Sequence, residues 1–304
     1  MSTQPPRRGR TRAAEALEAQ PELRAVASEP SVFRTVPSGT SLLDFVKSTA
    51  KRVTIDDEEF FVVESDLLLD EDELTIWAGQ REALARAGLV GIAAAGGGGR
   101  ISDELVGMVR DGKIVRWRDG LELTYCVLKG TFRTQAEYEL VRDTMEGATT
   151  DWSQTCGVAF RHVETLDESP GTKIPAGVLF AVRGINAQGQ FIAAAFFPDD
   201  PRSRRRVLID HSYFTTSFDK RGVLRHELGH VLGFRHEHIR PEAPPACPDE
   251  PLFDTTLLGA YDPHSVMHYF CGAVGSRELA ITELDRAGSQ RVYGGPLSGF
   301  FFAE

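Results

Sequence analysis

The sequence has no apolar stretch near the roughly 18 residues that a membrane-crossing helix requires. Its most apolar low-complexity run, Ala87 to Gly99, is short and rich in Gly and Ala. A membrane-spanning protein is therefore not expected. The N-terminus is positively charged but lacks the apolar core of about 7–15 residues found in a secretory signal, so export by the ordinary route is not supported. Basic residues are the minority, with 34 Lys and Arg against 44 Asp and Glu, a net charge of −10. That balance disfavours a nucleic-acid partner, because phosphate affinity rests on clustered cations. The run Arg202, Arg204, Arg205, Arg206 is the local exception, and reads as a solvated loop. Four cysteines, at 126, 156, 247 and 271, are too few for a disulfide scaffold and are not spaced as C-x-x-C metal clips. There is no G-x-S-x-G elbow, and no cysteine has a recognisable base beside it, so serine and cysteine nucleophiles lack support.

What is present divides the 304 residues into three regions. Residues 1–40 are rich in Pro, Arg, Ala, Ser and Glu and read as a disordered tail. Residues 41–112 embed the apolar patch FFVVESDLLL between the acidic runs DDEE and DEDE, followed by a helix-like stretch and four glycines. This is an accessory region. Residues 113–304 hold every strong signal. There, 121–128 has strand composition, and Tyr138, Val141, Met145, Ala148 and Trp152 recur at helical steps. Short apolar runs at 157–163, 177–184, 191–197 and 206–210 predict four more strands. A helix carrying RGVLRHELGHVLG and a final one with Thr282 as N-cap follow.

Two imidazoles, His226 and His230, stand at i and i+4, one turn apart on one helix face, where both can grip one ion. Gly233 permits the positive φ that ends the helix, letting His236 return as a third ligand. Three neutral nitrogens leave a fourth position open, as in catalytic rather than structural zinc sites. Glu227, beside the first ligand, can accept a proton from water. A bare H-E-x-x-H is only moderately specific, but the five fixed positions of the extended pattern recur by chance in roughly one such chain in ten thousand.

H-E-x-x-H-x-x-G-x-x-H resembles the metzincin signature. Ser265-Val266-Met267-His268-Tyr269 is similar to the methionine turn of astacins, and Phe234 and Glu237 match the astacin form G-F-x-H-E. FIAAAFFPDD and ITELDRAGSQRVYG are more similar to matrixins, and the resemblance covers about 113 to 294. It implies an α+β catalytic domain, with a five-stranded mixed twisted sheet, one antiparallel edge strand, an active-site helix and a C-terminal helix. It also implies one catalytic Zn2+ on His226, His230 and His236, with Met267 beneath it, Glu227 as general base and Tyr269 as a movable fifth ligand. The implied activity is zinc-dependent endopeptidase on protein or peptide substrates, with residues 191–197 presenting backbone groups to an extended chain. A catalytically silent zinc-binding module and a zinc hydrolase of other substrates are the rival readings, and retention of Glu227 argues against the first. The remaining histidines, at 162, 211, 238, 264 and 268, read as structural. Cys247 and Cys271 flank the methionine turn, either bridged or as free buried thiols.

Metzincins commonly mask their metal with a side chain from an N-terminal segment. No cysteine precedes Cys126, which excludes a thiolate in that role and leaves a carboxylate. Asp66, the one Asp inside FFVVESDLLL, is the candidate, which would make 41–112 a pro-segment. The plainer alternative is a small accessory fold with a solvated acidic rim.

Overall fold

The protein is described from a computed structural model, which covers residues 39–63, 66–86, 105–110, 112–240, 242–244, 246–247, 255–258 and 260–297. All but two residues of the expected disordered tail, and the glycine run, lie outside the described residues.

The N-terminal part opens with α1 (Leu42–Thr49), capped by Ser41, whose Oγ accepts from Asp44 N. A hairpin follows, β1 (Lys51–Ile55) and β2 (Glu58–Val63), paired antiparallel. Its two turn residues, Asp56 and Asp57, have φ of 53° and 68°, the left-handed conformation that tight hairpins require and Asp tolerates. β3 (Leu67–Leu69) adds to β2, and α2 (Glu71–Arg86) completes the unit. FFVVESDLLL is thus the end of one strand, a connection holding Asp66, and the next strand.

β4 (Val106–Arg110) and β5 (Lys113–Ile114) come next. β4 starts before the expected boundary at 113, yet it pairs with β11 (Phe234–Arg235) and with β12 (Thr255–Leu257), both downstream. Met108 N donates to Gly233 O, so this strand braces the turn that follows the H-E-x-x-H helix.

A five-stranded sheet forms the centre, in the order β7 (Ala159–His162), β6 (Glu122–Val127), β8 (Phe180–Ile185), β10 (Arg206–Asp210), β9 (Ala193–Ala194). β6, β7, β8 and β10 run parallel, while β9 is an antiparallel edge strand on β10. The α+β architecture matches the expectation, and the order strand, helix, four strands holds. Only two of the seven residues 191–197 pair as strand.

Strand alternation sends side chains to two layers. Phe180, Val182, Val207 and Ile209 face the main core, against α3 (Gln135–Thr155) and α4 (Lys220–Val231). α3 begins at Thr134, whose Oγ accepts from Glu137 N, and buries Tyr138, Val141, Met145, Ala148 and Trp152 as its periodicity predicts. Trp152 is fully buried and donates from Nε1 to Arg225 O, which ties α3 to α4.

The other face of the sheet, with Leu208 and Ile185, is covered by the N-terminal hairpin. Val53, Ile55, Phe60 and Val62 pack there against Ala187, Phe191, Ala194 and Leu208. The arginine run is not a solvated loop. Arg204 pairs with Asp70 and Glu73, and Arg206 pairs with Asp56, all from the N-terminal part. Sequence distance hid this: the partners lie more than 130 residues away, beyond the reach of any local charge pattern.

Candidate metal centre

α4 starts at Asp219, whose side chain accepts from Gly222 N, and carries His226, Glu227 and His230 on its buried side. It ends where Gly233 takes φ +92°, in a turn so close that a Cβ there would lie 2.6 Å from Val115 O. The chain then reverses through β11 and delivers His236. The Nε2 atoms of His230 and His236 are 3.1 Å apart.

Backbone carbonyls set the tautomers. His226 Nδ1 lies 2.8 Å from Val266 O, and His230 Nδ1 lies 2.8 Å from Phe234 O, so each Nδ1–H donates outward and each Nε2 lone pair faces the centre. His226 Nε2 and Glu227 Oε2 are buried without a hydrogen-bond partner. Orphaned buried acceptors converging on one point are what a cation would satisfy. Nitrogens of three imidazoles and one carboxylate oxygen, that of Asp66, lie within 4.8 Å of one another. This nitrogen-and-oxygen donor set fits zinc.

Asp66 reaches the middle of the cluster from the N-terminal part. Its Oδ2 is 3.1 Å from His236 Nε2, 3.4 Å from His226 Nε2 and 3.6 Å from His230 Nε2, and it accepts a 2.7 Å hydrogen bond from Tyr269 OH. Burial alone would raise its pKa, but His236 and the other two imidazoles hold it well below the usual carboxylate range. The same burial, with the Asp66 charge beside it, pushes Glu227 well above its ordinary value. Burial lowers His230 to about 4, which keeps its imidazole neutral and able to ligate.

The methionine turn lies beneath. Met267 is fully buried under Gly229 of α4, where an added Cβ would meet Met267 Sδ at 2.2 Å. Tyr269 stands beside the cluster, its ring 4.4 Å from those of His236 and His238. The turn is clamped by Asp285 of the C-terminal helix α5 (Glu283–Tyr293), which accepts from Ser265 Oγ at 2.5 Å and Val266 N at 2.8 Å. Sequence reasoning found the Thr282–Asp285 cap but not this second duty of Asp285. It also missed the buried pair Glu237–Arg240, 2.7 Å apart, in which Glu237 also accepts from Asp262 N. Burial raises Glu237 to about 8. No sequence period marks the contacts of Asp285 with the turn or of Glu237 with Asp262, which join segments 19 to 25 residues apart. Cys247 and Cys271 are bridged, and Cys126 and Cys156 are buried thiols.

A cavity of about 320 Å³ opens beside Glu227 and His226, walled by Phe191, Ile192, Phe218, Val223, Phe270 and Leu279. It is an apolar recess adjoining the imidazole cluster.

The family model for matrixin matches residues 116–242, which span the three histidines but stop short of Met267 and Tyr269. Among solved structures, myroilysin is similar with 18% identity and a TM-score of 0.42, over 61% of this chain and 97% of that one. A second myroilysin structure gives 16%, 0.39, 68% and 95% in the same order. High choriolytic enzyme 1, a hatching enzyme zinc-protease from Oryzias latipes, the medaka fish, is 17% identical with a TM-score of 0.38, over 59% of this chain and 94% of that one. No curated protein sequence matches the chain significantly. The matrixin match and the imidazole cluster fall on the same stretch, and residues 116–242 are accordingly similar to the matrixins, a family of zinc metalloproteases.

Proposed function

We propose that the protein is a zinc-dependent endopeptidase, with His226, His230 and His236 as its metal ligands and Glu227 as general base, and that it is held latent by Asp66. The observation that carries this reading is the convergence of three imidazole Nε2 atoms beside a buried Glu227 whose Oε2 has no hydrogen-bond partner among the described residues.

Zinc held by His226, His230 and His236 would supply Lewis acidity for the scissile carbonyl and make an attacking water more acidic. Glu227 takes the proton of the attacking water and passes it to the leaving amine. Tyr269 turns its hydroxyl from Asp66 to the developing oxyanion once substrate displaces the carboxylate. The edge strand β9 offers backbone groups to an extended chain, and the apolar recess beside Glu227 takes one substrate side chain. A chain lying along a sheet edge supports cleavage at internal bonds rather than at termini.

Asp66 occupies the position that substrate needs, which supports assigning residues 41–86 to a restraining pro-segment. Its distances of 3.1–3.6 Å to the three imidazole Nε2 atoms support a role for its carboxylate as a fourth ligand.

The test is incubation of the unmasked Asp66→Ala protein, with and without a chelator, in a mixed library of blocked peptides. Cleavage at internal bonds that stops on chelation is the expected result. Full zinc occupancy without cleavage, in the unmasked Asp66→Ala form, would favour the silent zinc module instead. For Tyr269, replacement by Phe should lower kcat by about 10²-fold or more with KM and zinc content little changed, the usual scale for loss of one oxyanion donor. An unchanged kcat would make Tyr269 an ordinary packed aromatic.

A further inference from the structure

The hold on Asp66 is set at a distance from the metal. Asp66 sits in the connection between β2 and β3, and among the described residues its side-chain hydrogen bonds and ion pairs are with the site it masks. What fixes its position is how the hairpin lies on the outer face of the sheet. The apolar part of that interface, Val53, Ile55, Phe60 and Val62 on Phe191, Ala194 and Leu208, gives affinity but little registry, since apolar burial is not directional. Registry matters here: a slip of one residue along a strand moves the chain about 3.3 Å. That is more than the difference between a 2.7 Å hydrogen bond and no contact at all.

Directional contacts lie at the hairpin tip and just beyond Asp66. Asp56, held outward by the left-handed turn, lies 2.8 Å from Arg183 NH1 and 3.1 Å from Arg206 NH1. Arg183 is 1% exposed, in the middle of β8, and its Nε has no hydrogen-bond partner. Burial opposes the Asp56 charge, yet the Arg183 guanidinium holds that carboxyl below its ordinary pKa. On the other side of Asp66, Arg204 pairs with Asp70 and Glu73.

We propose that these ion pairs, and Asp56–Arg183 above all, are a latch that keeps Asp66 among the histidines, so that the site is unmasked by breaking the latch, without any cut in the chain. The two arms differ in strength. The carboxylates of Asp56, Asp70 and Glu73 are similarly exposed, at 35%, 33% and 29%, so both arms are partly screened; the difference lies in the cation, Arg183 being 1% exposed and Arg204 20%. Removing the Asp56 charge leaves the buried Arg183 guanidinium with a hydrogen bond to Thr172 O but no carboxylate partner there, and an uncompensated buried charge is one of the larger single-site penalties in a folded protein. That penalty falls only on the docked state, because Arg183 regains water once the hairpin lifts.

The proposal rests on the reading that Asp66 masks a zinc peptidase, and the experiment separates the two. Full-length wild type, Asp56→Asn, Asp56→Glu, Arg206→Gln and Asp66→Ala are compared in peptide hydrolysis, and in amide exchange of the zinc-free chains. Asp56→Asn should hydrolyse at least tenfold faster than wild type, with β1 and β2 amides exchanging faster and those of α3 and α4 unchanged. Asp56→Glu should keep most of the latency, and Arg206→Gln should show a smaller gain that grows with salt. If Asp66→Ala is active while Asp56→Asn and Arg206→Gln stay as silent as wild type, the latch is wrong and the masking stands. A silent Asp66→Ala at full zinc content overturns the masking and the latch with it. Should Asp56→Asn lose protection throughout, Arg206→Gln carries the decision alone.

Discussion

Replacing Asp66 by Ala in the full-length chain should raise peptide hydrolysis by about 10- to 10²-fold. The carboxylate accepts from Tyr269 and lies against three imidazoles in a buried site. Hydrogen bonds to a charged group contribute about 1.5–3 kcal/mol each, and 1.4 kcal/mol corresponds to a factor of ten. Losing even one such contact therefore shifts the masked–open balance by an order of magnitude. The substitution also relieves Glu227, whose pKa the Asp66 charge helps to raise, so the acid limb of the pH–rate profile should sit at lower pH than in any residual wild-type activity. Steady-state rates on one blocked peptide, at matched zinc content, are the measurement. Equal rates for the variant and the wild type would return residues 41–86 to the plainer role of an accessory fold.

In that unmasked background, Glu227→Gln should lower kcat by about 10²- to 10⁴-fold, the usual contribution of a positioned acid-base group, while the protein keeps close to one zinc per chain. The side chain neighbours the ligands without being one. Its Oε2 is buried and has no hydrogen-bond partner among the described residues, so the substitution removes no hydrogen bond at that atom. His230→Ala is the contrast, since it should lose metal and activity together. A Gln variant that kept most of its rate would move the general-base role elsewhere.

The parts of this account that were legible in the sequence share one property: their signals are local. His226, Glu227, His230, Gly233 and His236 fall within eleven residues, and one helix and one glycine turn suffice to bring them together. α3 and α5 were announced by apolar spacing and by the Thr282–Asp285 cap. Asp66 could be singled out because the patch around it holds no other Asp, but its distance from His236 could not be read that way. The latch was invisible, and the arginines were assigned to solvent, because pairing Asp56 with Arg183 requires knowing that a hairpin covers the outer face of the sheet. The strand at 191–197 was overextended for a related reason. Apolar runs are shared by paired strands and by irregular chain that lines a cavity, and Phe191 and Ile192 do the latter.

The most direct test of the central claim is a zinc titration. Asp66→Ala protein is stripped with a chelator, and zinc is returned in fractional equivalents while internal-bond cleavage of one peptide is followed. The stripped protein should be inactive, and the rate should rise linearly to a plateau at about one zinc per chain. Cleavage that persists in the stripped protein, or that stays absent after one zinc per chain has bound, would contradict it.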